Sequence, residues 1–303
     1  MSETIRVEDA RRAAAELLLA AEIPQALFEA DQITGHVLAL SRAALHTHPE
    51  RTIAKDDLSR IVEMSIRRAA QEPLAHILGN SFFCGRSFRV TRDTLIPRPE
   101  TEMLAMRADS LMKEMNTVDT PVFADWCTGG GCIAITLLAE NPTWRAYAVD
   151  SSERALAVAM ENAALHGVLG RIAFLLRSTP EDAKDGIPPV SLDFVTANPP
   201  YIPTENLAGL EEQVRRYEPI EALDGGPDGL DVYRLLLPGV CVFMKPGAHM
   251  LLETAGEEQA SAIRAMYDKS GTCGDSASQG LELLDLFSDQ RDIYRFMLWQ
   301  KKG

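Results

Sequence analysis

The chain has 303 residues, 46% hydrophobic and 24% charged, with a formal net charge of −14 at pH 7. That mix suits a globular protein with a sizeable buried core, long enough for two domains. It argues against a membrane-spanning chain, because no apolar run reaches the ~20 residues a bilayer crossing takes, and against a basic nucleic-acid binder.

The acidity is uneven. Of 30 basic and 44 acidic side chains, residues 1–98 hold thirteen of each, so the whole of the −14 falls on residues 99–303. The N-terminal residues lack the basic-then-apolar layout of a signal peptide. Five scattered cysteines (Cys84, Cys127, Cys132, Cys241, Cys273) form no C-x-x-C pair. They read as reduced thiols in a cytoplasmic protein, with no metal site expected.

From Arg6 to about Ala70 the pattern predicts helices. Ala13, Leu17, Leu18 and Ala21 recur at helical spacing until Pro24, and a second helix is expected over Gln25 to Leu40. A third begins near Asp56-Asp57 and carries Leu58, Ile61, Val62 and Ile66 on one face. His46-Thr47-His48-Pro49 between them is expected to be a loop with plain surface histidines rather than a metal site. Residues 1–80 thus read as a small helical domain. Aromatic and β-branched residues on both sides of Gly85 predict a β-hairpin, within a linker over residues 81–98. Arg98 lies between two prolines, and Pro99 is placed to open a helix running to about Met115. Glu100 and Glu102 occupy its first turn, where negative charge suits the helix dipole.

Over residues 99–303 short apolar strands alternate with helices, which implies a doubly wound α/β fold around a parallel sheet. The expected strands are Val122–Asp125, Trp144–Val149, Ile172–Leu176, Ser191–Ala197 and Ala248–Glu253, with a closing pair over Leu281–Phe287 and Tyr294–Trp299. The expected helices are Cys132–Glu140, Glu153–His166, Leu230–Phe243 with Pro238 inside it, and Glu257–Tyr267.

Two loops in this half carry chemistry. Asp125-Trp126-Cys127-Thr128-Gly129-Gly130-Gly131 follows the first strand, and Asp150 ends the second. A glycine turn at a helix N-terminus lets backbone amides approach a ligand, and an acid after the next strand can hold a ribose. Together they predict a nucleoside ligand at the carboxyl ends of the strands. The second loop is Asn198-Pro199-Pro200-Tyr201. Two prolines supply no N–H, so the corner offers bare carbonyls, one carboxamide and an aromatic face. Those parts suit a planar nitrogen group, whose two N–H bonds the Asn198 oxygen and a proline carbonyl can accept. Read alone, the corner is also an ordinary turn.

The glycine loop resembles the acid-x-G-x-G-x-G loop of class I, Rossmann-like S-adenosylmethionine-dependent methyltransferases, with Cys127 at the place of the family's first glycine. Cysteine resists positive φ, so it is expected either outside the left-handed region or in a slightly shifted loop. With Asn198-Pro199-Pro200-Tyr201, Leu95-Ile96-Pro97-Arg98-Pro99-Glu100-Thr101-Glu102, Glu72-Pro73 to Gly79 and Tyr217-Glu218-Pro219 to Gly226, the chain looks like the HemK-type release-factor glutamine N5-methyltransferases.

That resemblance implies S-adenosylmethionine as methyl donor, S-adenosylhomocysteine as product, and peptide-chain release factors as protein partners. It implies no direct contact with nucleic acid and none with a membrane. Cys127, Thr128, Gly129, Gly130 and Gly131 would wrap the methionine part, Asp150 the ribose, and Ser178 and Thr179 the adenine. Asn198, Pro199 and Tyr201 would be catalytic, with Pro200 beside them, and Arg98 and Glu100 would shape the entrance to the glutamine pocket. An ion pair at a helix start is the alternative for those last two. Leu252-Glu253-Thr254-Ala255-Gly256 departs from the family's Glu-Ile-Gly order and is given no role beyond the strand end. Among other readings, a ribosomal-protein glutamine methyltransferase shares the Asn-Pro-Pro-Tyr corner, and a DNA adenine-N6 methyltransferase would need a basic face. A non-catalytic cofactor-binding module would explain the fold but leave Asn198 and Tyr201 without a reason.

Overall fold

The computed structural model describes residues 5–115, 120–270 and 280–303, and the chain divides into two compact units. The first comprises residues up to Asn80 together with 211–217. Its helices are α1 (Val7–Ala20), α2 (Ala26–Leu38), α3 (Arg42–Thr47), α4 (Lys55–Ala69) and α5 (Leu74–Leu78). Ala10, Ala14, Leu18, Ala30, Ile33 and Ile61 form their shared core. In α4, Asp56 and Asp57 open the first turn and Arg67 and Arg68 close the last, so both ends complement the dipole.

The histidine segment is partly helical rather than a loop, although His46 and His48 are exposed as expected. His46 lies in α3, and its Nε2 is 2.8 Å from Asp31 Oδ2. Asp31 is 4% exposed and also accepts from Arg11 (2.8 Å) and Arg42 (3.0 Å). Burial opposes its charge, but these three bonds prevail and hold the carboxyl below its usual range. A buried acid thus gathers two arginines and a histidine that itself stays exposed.

The second unit comprises residues 81–210 and 218–303. Strands β1 (Asn80–Phe83) and β2 (Arg86–Arg89) form a hairpin whose turn residues Cys84 and Gly85 both have positive φ. Phe83 and Phe88 meet edge-to-face at 6.0 Å in the core of this unit. Cys84 N donates to Glu102 Oε1 at 2.8 Å, pinning the turn to the first turn of α6 (Pro99–Met115).

Next come β3 (Val122–Trp126), α7 (Cys132–Glu140), β4 (Arg145–Asp150), α8 (Glu153–Leu165), β5 (Ile172–Leu176) and β6 (Leu192–Ala197). After the short α9 (Glu212–Tyr217) follow α10 (Asp231–Val240), β7 (Met244–Glu253), α11 (Glu257–Ser270), β8 (Leu281–Ser288) and β9 (Tyr294–Lys301). The sheet order is β5-β4-β3-β6-β7-β9-β8, parallel through β7, with β9 antiparallel to both its neighbours. Side chains alternate between two cores, as a sheet covered on both faces requires. Phe123, Phe194, Leu251 and Leu298 face one core, with α6 and α7. Ala124, Val195, Met250, Leu252 and Trp299 face the other, with α10 and α11. The closing antiparallel pair agrees with its expected position. The last helix of the α/β stretch before β7 is shorter than the pattern suggests, ending at Val240 with Pro238 in its final turn.

Among the cysteines, Cys84, Cys127 and Cys132 are free, whereas Cys241 is disulfide-bonded, which corrects the reading of five reduced thiols. Cys273 lies outside the described residues.

Candidate active site

The strand order reverses between β3, which leads outward to β4 and β5, and β6, which leads the other way to β7. Loops leaving the carboxyl ends of β3 and β6 therefore diverge and open a crevice, the usual ligand position in such sheets. A cavity of about 270 Å³ occupies it, close to the low end of the ~300–1,000 Å³ of small-molecule sites.

The glycine loop forms one wall. Buried Asp125 organises it from beneath: its carboxylate accepts from Thr128 Oγ1 (2.7 Å), Thr196 Oγ1 (2.8 Å) and Ala134 N (3.3 Å). Burial pushes its carboxyl up to about 6 despite these donors. Asp125 thereby joins the loop, the start of α7 and the neighbouring strand. Gly131 is the N-cap of α7 at φ +83°, where a Cβ would stand 2.6 Å from Ile135 Cδ1. Only glycine fits there. Cys127 has φ +57°, so it adopts the left-handed conformation, and the expectation that it lies outside that region does not hold. Burial raises its thiol, with Asp150 and Asp125 adding to the effect, which keeps it protonated and unreactive.

Asp150 closes the far side. Its Oδ2 accepts from Gly129 N (2.8 Å) and its Oδ1 from Ser152 N (2.9 Å). The Ser151 backbone donates to the carboxylate as well, which leaves part of its accepting capacity for a ligand. Asn162 was not singled out in the sequence, yet it is fully buried on α8 and ties the loop to the hairpin. Its amide donates to Gly130 O (2.9 Å) and Arg89 O (3.1 Å), and its oxygen accepts from Arg89 N (2.8 Å). An asparagine within an alanine-rich buried helix face was the available signal.

The proline corner forms the other wall. Asn198 Nδ2 donates to Thr101 Oγ1 at 3.0 Å, which leaves Oδ1 as the atom it can offer to a ligand. The chain beyond is locked from behind: Gln259 Nε2 donates to Tyr201 O (2.9 Å), and Ile202 exchanges backbone bonds with Leu223 and Gly225. At Gly225 a Cβ would lie 2.8 Å from Pro200 O, so position 225 must be glycine for the corner to seat.

Of the residues expected from sequence, Arg98, Cys127, Thr128, Gly129, Gly130, Asp150, Ser178, Asn198 and Pro200 line the cavity. Gly131, Thr179, Pro199, Tyr201 and Glu100 are not in that lining. Thr179 Oγ1 instead accepts from Asp182 N at 3.3 Å, and Tyr201 packs against the core, where burial pushes its phenol up to about 12. Arg98 lies 2.6 Å from Glu218 Oε1, and Ile96 N donates to the other oxygen at 3.1 Å. Glu218 is buried, and its carboxyl is raised by burial against the pull of Arg98.

Two buried donors on lining residues, Trp126 Nε1 and Arg177 Nε, have no partner among the described residues. Orphaned donors, an acid with spare accepting capacity and an apolar floor fit a nucleoside ligand bearing an amino-acid tail.

A family model described as the PrmC N-terminal domain matches residues 9–79, and one described as the methyltransferase small domain matches residues 105–210. A release factor glutamine methyltransferase of Cereibacter sphaeroides is 40% identical over 267 residues, 88% of this chain and 91% of that one. Proteins of the same name from Geobacter sulfurreducens (35%; 83% and 84% covered) and Moorella thermoacetica (38%; 82% and 84%) are also similar. Among solved structures, the hMettl16 catalytic domain in complex with a MAT2A 3′UTR hairpin superposes with TM-score 0.53 at 15% identity, over 78% of this chain and 80% of that one. That likeness speaks to the fold alone.

Proposed function

The chain belongs to the release factor glutamine methyltransferase family, and on that premise we propose that it methylates the side-chain amide nitrogen, N5, of the glutamine in the Gly-Gly-Gln motif of peptide-chain release factors. The observation that carries this reading is Asn198: its Nδ2 is committed to Thr101 while the residue lines the crevice beside Asp150 and the glycine loop.

When bound, S-adenosylmethionine supplies an electrophilic methyl group on a sulfonium. Cys127, Thr128, Gly129 and Gly130 would cradle its amino-acid part, Asp150 would hold the ribose hydroxyls, and Ser178 would contact the adenine. Gly131 would turn the loop around the amino-acid part, and Thr179 would lie beside Ser178. An amide nitrogen is a poor nucleophile, because its lone pair is delocalised into the carbonyl. Asn198 Oδ1 and the Pro199 carbonyl accept its two N–H bonds and so fix the nitrogen in line for attack. The same two acceptors stabilise the positive charge that grows on nitrogen as the methyl arrives. No strong base is needed before transfer, since the extra proton can leave afterwards. Pro200 and Tyr201 hold the corner rigid, and Arg98, paired with Glu218, and Glu100 shape the mouth for the glutamine side chain.

The helical unit recognises the body of the release factor. The −14 charge on residues 99–303 supports a protein substrate over nucleic acid. No helix among the described residues is long and apolar enough to cross a membrane, and a translation-linked substrate places the reaction in the cytoplasm.

The test is incubation with labelled S-adenosylmethionine and, in parallel, purified release factor, ribosomal protein and DNA. Label on the release-factor glutamine is expected; label confined to ribosomal protein or DNA would overturn the substrate.

A further inference from the structure

Glu253 ends β7, the strand beside β6, and the register pairs Ala197 with Leu252. Asn198 and Glu253 are therefore the next residues outward on neighbouring parallel strands. Glu253 is 1% exposed, and its side chain takes a hydrogen bond from Thr101. Its Oε2 is buried with no partner among the described residues. Its backbone is held as well, since Tyr233 Oη donates to Glu253 O at 2.7 Å. A buried carboxyl with one unsatisfied oxygen is destabilising unless it serves something.

We infer that Glu253 is a positioning residue that sets, through Thr101, which end of the Asn198 carboxamide faces the substrate. The inference rests on the amide-clamp reading of Asn198. Once ionised, above about pH 7, the Glu253 carboxylate only accepts hydrogen bonds, and a threonine hydroxyl has a single proton. Glu253 takes that proton, so Thr101 Oγ1 is left as an acceptor. Asn198 must then turn its Nδ2 toward Thr101, as it does at 3.0 Å, and its Oδ1 toward the cavity. The opposite flip would present an NH₂ to a nitrogen that is becoming positive. A glutamine at 253 can donate as well as accept, so it removes the one-way order while keeping the shape.

The experiment compares kcat, KM for the release factor and calorimetric S-adenosylmethionine affinity in the full chain at about pH 8.5, where Glu253 is ionised. Glu253→Gln and Thr101→Val are each expected to lower kcat by about 10- to 100-fold, with cofactor affinity unchanged. The double variant should be no worse than the weaker single, because both cut one chain. Thr101→Ser, which keeps the hydroxyl, should restore kcat to within about threefold of the parent protein. A normal kcat in Glu253→Gln, losses that multiply in the double variant, or cofactor affinity falling in step with kcat would each overturn the role. Asn198→Ala is measured alongside. If it keeps turnover, the amide clamp itself is wrong; if it is dead while Glu253→Gln is normal, only the positioning role is lost.

Discussion

The glycine loop after β3 and the proline corner after β6 stand side by side at one end of the sheet, joined by the register of Trp126 with Ala197. They present polar atoms in opposite ways. The loop uses backbone: positive φ at Cys127, Gly129 and Gly131 turns the chain, and buried Asp125 gathers its side-chain and amide donors. The corner has removed its backbone donors with two prolines and relies on one carboxamide, oriented by a side chain 97 positions away in sequence. A loop that wraps a ligand needs freedom and many weak donors. A corner that must offer one acceptor in one orientation needs rigidity and an external constraint.

That contrast predicts different failures on the two sides. The largest effect belongs to the corner: Asn198→Ala should reduce kcat by about 10²- to 10³-fold, some 2.7–4 kcal/mol of transition-state stabilisation. Cofactor affinity by calorimetry should stay unchanged, and a parallel loss of both would erase the distinction between the walls.

Second is a pH effect on the corner's support. Burial pushes the Glu253 carboxyl from the ordinary 4.5 up to about 7. The folded state then binds the proton more tightly than the unfolded chain, so this group's stability is present below pH 4.5 and is lost as pH rises to about 7. Across that window the protein should lose about 3 kcal/mol relative to Glu253→Gln, read from denaturant melts at each pH. Arg98, Arg295, Glu100, Tyr201 and Tyr233 face Glu253 electrostatically. Parallel pH curves for the two proteins would show that these neighbours, not burial, set its proton affinity.

On the loop side, Asp150→Ala should weaken S-adenosylmethionine by about 10- to 100-fold, from the loss of charge-assisted bonds worth about 1.5–3 kcal/mol. Here kcat at saturating cofactor should change little, the mirror image of Asn198→Ala. Smallest is Cys127→Gly. It relieves a left-handed cysteine but loosens the unfolded chain, for a net gain below about 1 kcal/mol in melting studies. A destabilised variant would mean that the thiol's buried contacts outweigh the backbone strain.

Much of this was legible without coordinates. Proline removes N–H groups and glycine permits positive φ wherever they occur, so the chemistry of both walls could be read from Asn198-Pro199-Pro200-Tyr201 and from Thr128 to Gly131. Strand–helix alternation similarly implied the parallel sheet and hence the crevice. Tertiary structure alone decided how those parts are held. Thr101, Glu253 and Asn162 meet their partners through sheet order and helix packing, across tens of residues, and no local periodicity encodes such a meeting. It also paired the exposed His46 with buried Asp31, and it packed the half-buried Tyr201 against the core. Residue type fixes what a group can donate or accept; only the fold decides which neighbour has already claimed it, and at Asn198 that claim leaves the oxygen free.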